Sequence, residues 1–416
     1  PSFILFLTDG LPTVGERNEA KIVENAHQHN DHRTRLINFG VGYDVNSRLL
    51  DRLSRENFGQ SEFVRPDEDI EAHVSRVYQK FAAPVMTDVA VEVEVDDKSL
   101  SRAISRVYPK HVYDLFAGEQ LVLVGRYKRG GDAKVTITGK VGGKKEKFDF
   151  PAKLIEKSRD QSLAFVEKLW AMRRIGEIID EIDLKGRNDE LVKELVGLST
   201  RHGILTPYTS FLADENSTVR ELADASVQLR RARESLGRLS DAEGVAGFSQ
   251  RAEKFNLQNA QIAPAAPAVV FEGRLQRQVA EPNFDAAAAG RSISAAKRAP
   301  SSSAMPGGAA PMQAGGQGQA ANTYRDIDSD RLIVASGVQN VGSETLYKRG
   351  QTWIANNAKD IDLVKDKSQV QEIKRFSDEY FALVKANTPD ENAILAAQQE
   401  GEELLVRFRG RAYLIK

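Results

Sequence analysis

The chain has 416 residues, two to three domains' worth at ordinary domain size, and 41 % of them are hydrophobic, enough to supply cores. Lys and Arg (58) nearly balance Asp and Glu (59), for a net charge of −1, so the composition argues against a generic nucleic-acid binder, which would neutralise phosphates with clustered cations. With no Cys, disulfides, thiolate zinc sites, iron–sulfur ligation and Cys nucleophiles are excluded. No apolar run is long enough to span a bilayer as a helix.

Pro1-Ser-Phe-Ile-Leu-Phe-Leu7 reads as a buried strand already under way, closed by Thr8-Asp9-Gly10, without an initiator Met or a leader pattern. The reading expects a longer protein upstream, with this strand central in the complete sheet and here left with an unpaired edge and bare apolar surface. A polar helix is predicted from about Asn18 to His27. Arg35-Leu-Ile-Asn-Phe39 is a short strand closed by Gly40, and a helix follows Asn46 with Leu49, Leu50 and Leu53 on one face. Ser61–Val64 is a third strand. Ile70, Val74, Val77 and Phe81 then mark a helix opened by Pro66-Asp67-Glu68. Strands alternating with helices imply a parallel sheet covered by helices.

From Val85 the period becomes two. Val89, Val91, Val93 and Val95, then Leu121, Leu123, Gly125 and Tyr127, predict an antiparallel β module with turns at Arg129–Asp132 and Val141–Lys144. Helices are predicted at about Arg159–Asp183 and Asp189–His202, with an apolar face of Phe165, Leu169, Met172 and Ile179 on the first and of Leu191, Leu195 and Leu198 on the second; this hairpin is expected to pack on the β module. An Arg-rich helical stretch reaches about Leu239 and passes into a polar segment. Ala299–Ala321 is uncharged and nearly all Ala, Gly, Ser, Pro, Gln and Met, the composition of a disordered linker. Beyond it, Leu332–Val334 and Thr345–Ile354 read as strands, Ile373, Phe376, Tyr380 and Leu383 as a helix face, and Leu404–Phe408 with Ala412–Ile415 as a closing hairpin.

Asp9 is the strongest candidate site residue. A carboxylate at the C-terminal end of a parallel strand sits where ligands bind in open α/β sheets, and oxygen ligands suit Mg²⁺ or Ca²⁺. The competing reading is a turn former, its carboxylate capping a local backbone group. His27, His29, His32 and Asp31 form the densest cluster of ligand-type residues, yet positions 27 and 29 point apart on a helix, and a solvated helix end is the better reading. No Gly-x-Ser-x-Gly or His-Glu-x-x-His pattern occurs. Gly139–Lys145 lacks phosphate-loop spacing, and Trp170 reads as a core anchor.

Phe3-Ile-Leu-Phe-Leu-Thr-Asp-Gly-Leu-Pro-Thr-Val-Gly-Glu16 resembles the strand and turn of von Willebrand factor type A domains, especially those of inter-alpha-trypsin inhibitor heavy chains and their bacterial relatives. The resemblance continues through Leu36-Ile-Asn-Phe-Gly-Val-Gly-Tyr43, Leu49-Leu-Asp-Arg-Leu53 and Phe81-Ala-Ala-Pro84. It reaches Glu167-Lys-Leu-Trp-Ala171 and Leu205-Thr-Pro-Tyr-Thr-Ser-Phe211, and so covers residues 1–213. It implies a metal-ion-dependent adhesion site, formed by an Asp-x-Ser-x-Ser loop, a separate Thr and the Asp of Thr-Asp-Gly. Only the last maps onto this sequence, as Asp9; with one carboxylate, little cation affinity is expected of this chain alone.

The expected fold class is α/β, a partial doubly wound type A domain (1–83), followed by an antiparallel β module (84–157), a helical hairpin and closing strand (158–213), a charged helix with low-complexity linker (214–322) and a small α+β domain (323–416). The resemblance implies a non-enzymatic protein-interaction or adhesion module, dependent on Mg²⁺ or Ca²⁺ in the complete protein. Its ligand would be a protein engaged through an acidic side chain, and its location the cell envelope or outside the cell. The alternatives are a hydrolase with catalytic residues outside the recognised region, and a scaffold that has lost its metal.

Overall fold

The computed structural model describes residues 2–81, 84–95, 104–118, 120–156, 158, 163–261 and 322–416. The linker expected at 299–321 lies outside them.

The first unit is a parallel sheet of β1 (Phe3–Thr8), β2 (Arg35–Val41) and β3 (Gln60–Val64), in that order. Helix α1 (Glu19–Gln28) is capped by Asn18 and α2 (Ser47–Glu56) by Asn46, whose side chain accepts from Leu49 N. Both helices cover one face, where Val23, Leu49 and Leu53 pack with Leu36. Helix α3 (Ile70–Phe81) covers the other, placing Val77, Ile70, Val74 and Phe81 on Ile37, Phe39 and Val64. The spacing that predicted α3 is thus its packing face. Among the described residues β1 pairs with β2 alone, so its other edge is unpaired and its apolar surface bare, as expected. Ile4, Leu5, Phe6 and Leu7 remain 39–52 % exposed.

The period-two region forms β4 (Pro84–Val95), β5 (Ile104–Tyr108), β6 (Asp114–Phe116), β7 (Val124–Tyr127), β8 (Gly131–Val141) and β9 (Lys144–Leu154). Strands β6-β4-β8-β9 make an antiparallel sheet, and β5 and β7 a separate ribbon. The β8–β9 hairpin turns at Gly142 and Gly143, both at positive φ, a conformation a Cβ would resist. The bidentate pair Arg35–Asp114, both contacts at 2.8 Å, ties β2 to β6.

Helices α4 (Ala164–Lys185) and α5 (Asp189–His202) form the predicted hairpin. Leu169, Ile175, Ile179 and Ile182 pack on Val192, Leu195 and Val196, and Tyr108 and Val124 join them from the β5–β7 ribbon. The hairpin therefore meets the ribbon. Phe165, expected on the buried face, is 47 % exposed because it lies in the first turn, beyond the partner helix. Trp170 is buried, its Nε1 donating to Arg106 O. Where a closing strand was expected, residues 204–213 make turns and a short 3-10 helix, Ser210–Ala213. Thr209 Oγ1 accepts from Thr206 N and shares a 2.9 Å hydrogen bond with the Thr206 hydroxyl, which closes the chain on itself.

Helices α6 (Val219–Ala223), α7 (Ala225–Leu236) and α8 (Gly244–Gln258) follow. The last falls where only a polar segment was expected, and it packs against α4, α2 and β3.

After residue 322 comes the hairpin β10 (Thr323–Arg325) and β11 (Leu332–Val334), then β12 (Val338–Val341), β13 (Glu344–Arg349), β14 (Thr352–Ala355), β15 (Val370–Ile373), α9 (Asp378–Ala386), α10 (Pro389–Ala396), β16 (Glu403–Phe408) and β17 (Arg411–Ile415). A mixed sheet runs β12-β13-β14-β16-β17-β15. The single strand expected at 345–354 is two, because Gly350 turns the chain at positive φ. Likewise Ile373 ends β15 and Phe376 sits in the turn before α9, so the helix face begins at Tyr380. Tyr380 and Leu383 share one core with Trp353, Leu404 and Ile415.

Candidate functional site

The C-terminal ends of the three parallel strands form one rim. At the end of β1, Thr8 Oγ1 accepts from Gly10 N (3.0 Å), and Asp9 O accepts from Asn46 N (2.8 Å), fastening the turn to the start of α2. Gly10 has φ +68°, and a Cβ there would lie 3.1 Å from the Leu50 side chain. Asn46 also donates to Glu19 Oε1 (2.9 Å), and Arg48 pairs with the same carboxylate. Burial favours the neutral form of Glu19, but the hydrogen bonds from Arg48 and Asn46 prevail and hold its carboxyl below the usual range.

Asp9 itself is exposed, and its Oδ1 accepts from Leu11 N at 3.0 Å. That is the bond a turn former makes. Among the described residues, no group of three or more His, Asp or Glu side chains is placed to hold a metal ion. A hard divalent cation takes six or more oxygens, so one carboxylate and a hydroxyl already engaged by Gly10 do not by themselves make a cation site.

At the neighbouring strand ends, Tyr43 follows β2 and Arg65 follows β3, and both reach Asp330 in the β10–β11 turn. Sequence reasoning missed this pairing, because 265 residues separate Arg65 from Asp330.

The histidine cluster stays a helix end: His27 Nδ1 meets Glu56 O at 2.6 Å and His29 Nδ1 meets Asn25 O at 2.8 Å. A cavity of about 300 Å³ opens at the opposite, N-terminal end of the sheet, among Phe58, Tyr113 and the Arg35–Asp114 pair. None of the residues singled out from sequence as site candidates lines it.

No protein-family model matches the chain. It is similar to inter-alpha-trypsin inhibitor heavy chains. Human heavy chain H4 is 29 % identical over 221 residues, 51 % of this chain and 23 % of that protein. Heavy chain H2 of Sus scrofa is 26 % identical over 239 residues (55 % and 25 %), and mouse heavy chain H3 27 % over 238 (54 % and 26 %). The chain spans about a quarter of the length of these relatives. Among solved structures, the ArnB paralog VWA2 from Sulfolobus acidocaldarius is 14 % identical, covers 56 % of this chain and 63 % of its own, and superposes with a TM-score of 0.27, too distant a likeness to define the fold.

Proposed function

We propose that this chain belongs to a non-enzymatic protein-interaction or adhesion module whose working surface is the C-terminal rim of the β1-β2-β3 sheet. The observation that carries the reading is the position of Asp9, exposed at the end of a parallel strand, in a chain half of which resembles inter-alpha-trypsin inhibitor heavy chains. In this reading Asp9 supplies one ligand to Mg²⁺ or Ca²⁺, the remaining ligands come from outside residues 1–416, and the cation receives an acidic side chain of the protein partner.

The rim suits that role physically. The sheet, Gly10 against Leu50 and the Asn46 cap fix the backbone under Asp9, so presenting the carboxylate costs little ordering entropy on binding. The test is co-purification of partners by the full-length protein from its native source in Mg²⁺, Ca²⁺ or EDTA, with wild type and Asp9→Ala compared. Partners retained with the cations, and lost with EDTA or Asp9→Ala, support the reading. Retention of the same partners in all conditions leaves Asp9 a turn former.

A further inference from the structure

We propose that Arg65 and Tyr43 form a second, metal-independent carboxylate-binding site on this rim, that the chain's own Asp330 occupies it, and that a partner presenting an acidic turn enters by exchange with the β10–β11 hairpin. The proposal shares with the proposed function the reading of the rim as an interaction surface, but neither Asp9 nor a cation.

The site is built from the body of the protein. Arg65 directs its guanidinium edge at Asp330, with Nε 2.6 Å from Oδ2 and Nη2 3.3 Å from Oδ1, the fork geometry that selects carboxylates. Tyr43 adds its hydroxyl at 3.4 Å from Oδ2. Behind the guanidinium lies the Phe248 ring of α8, 5.5 Å away, and Glu68 accepts from both Arg65 N (2.9 Å) and Nη1 (3.4 Å), so backbone and side chain of the arginine are both held. The Asp330 side chain is 1 % exposed there.

The occupant is held less firmly than the site. Strands β10 and β11 are three residues each and form a sheet of their own; such ribbons are not stable unaided. Leu332 and Val334 are 57 % and 64 % exposed. Apolar anchoring comes from Ile327, which is buried, and from Tyr324, which packs beside Leu205 and Tyr347. Asp330 sits at φ +51°, a conformation costly for a residue with a Cβ, and Arg325 Nη1 braces it from within the hairpin at 3.3 Å. The second charged contact, Asp328 with Arg238, joins two side chains 67 % and 41 % exposed, a setting where ion pairs contribute little. Asp330 is therefore the principal polar tether of the turn, while the base of the hairpin is held by Asn322, which donates to Val338 O at 3.1 Å and accepts from Ala335 N at 2.8 Å.

The ligand class follows from the charges present. Arg65 already faces Glu68, and Glu253 of α8 lies near enough to feel Arg325, Arg65 and Asp330, its carboxyl pushed up by burial. A dianionic phosphate would meet this acidic surround, whereas one carboxylate replaces Asp330 like for like. The hairpin competes from the same chain, so any free ligand binds more weakly to wild type by the ratio of closed to open states.

The probe is a labelled peptide with the hairpin's own sequence, residues 323–334, titrated by fluorescence anisotropy in EDTA into the full chain. Asp330→Asn should bind it at least tenfold more tightly than wild type. The double variant Asp330→Asn/Arg65→Met should lose that gain, as should a peptide carrying Asp330→Asn. Hydrogen exchange over 323–334 should accelerate at least tenfold in Asp330→Asn while β2 and α4 stay protected, which shows that the body remains folded. Equal peptide affinities for the single and double variants, or unchanged exchange in the hairpin, would overturn the proposal. Displacement of the peptide by inorganic phosphate at lower concentration than by acetate would overturn the ligand class. Because EDTA is present throughout, failure of the Asp9 reading leaves these outcomes unaffected, and their failure leaves that reading standing.

Discussion

Lys254 Nζ lies 2.6 Å from Asp51 Oδ2, although 203 residues separate the two in sequence and the lysine side chain is only 2 % exposed. The same ammonium reaches Asp180 at 2.9 Å, Arg55 also pairs with Asp180, and Arg251 donates to Asp183 at 3.0 Å. The cluster knits α2, α4 and α8 together, and with them the parallel sheet, the helical hairpin and the segment after it. Burial alone would raise the Asp51 carboxyl, but Lys254 and Arg55 beside it hold it below the usual range.

Removing one partner of a buried ion pair typically costs about 3–5 kcal/mol, because the remaining charge is left unpaired out of water. Lys254→Ala should therefore lower unfolding stability by about 3 kcal/mol in urea titration. A loss under about 1 kcal/mol would mean that the junction is not what joins these parts.

This cluster also explains what the sequence concealed. The buried positions of α8 include Phe248, Arg251, Lys254 and Leu257. Two of these four are cations, which periodicity assigns to solvent, and distant carboxylates, with the Leu239 carbonyl for Arg251, make their burial tolerable. By contrast, α2, α3 and α4 bury aliphatic faces at helical spacing, β4 alternates valines, and the Gly142-Gly143 turn announces itself, so each was legible. At the rim, the placement of Asp9 just past the end of a strand was legible because a short run of local sequence determines it. The Arg65–Asp330 pair was not, since local sequence carries no trace of a contact made across the fold.

Glu19 gives a dependence on pH. Its folded-state pKa is lowered, so its contribution is present above the unfolded value of about 4.3 and is lost as pH falls through the folded one. The difference in Tm between wild type and Glu19→Gln should be constant from pH 7 to 5 and shrink toward pH 3. A difference that persists unchanged at pH 3 would show that the carboxylate charge is not what Arg48 and Asn46 stabilise.

Leu169 is buried where α4 meets Tyr108 and Val124. Truncating a buried Leu typically costs about 2–5 kcal/mol, and Leu169→Ala should fall in that range by denaturant midpoint. An unchanged midpoint would mean that the hairpin does not depend on this core.

Asp9 should matter for cation binding and hardly for folding, since its carboxylate makes one exposed turn bond and exposed substitutions usually shift stability by less than about 1 kcal/mol. The decisive measurement is Mg²⁺ titration calorimetry on the full-length protein, wild type and Asp9→Ala, with thermal unfolding recorded on the same samples. The expected result is saturable Mg²⁺ binding in wild type, its loss in Asp9→Ala, and nearly equal unfolding temperatures without metal. Identical Mg²⁺ heats from the two proteins would contradict a metal-dependent rim.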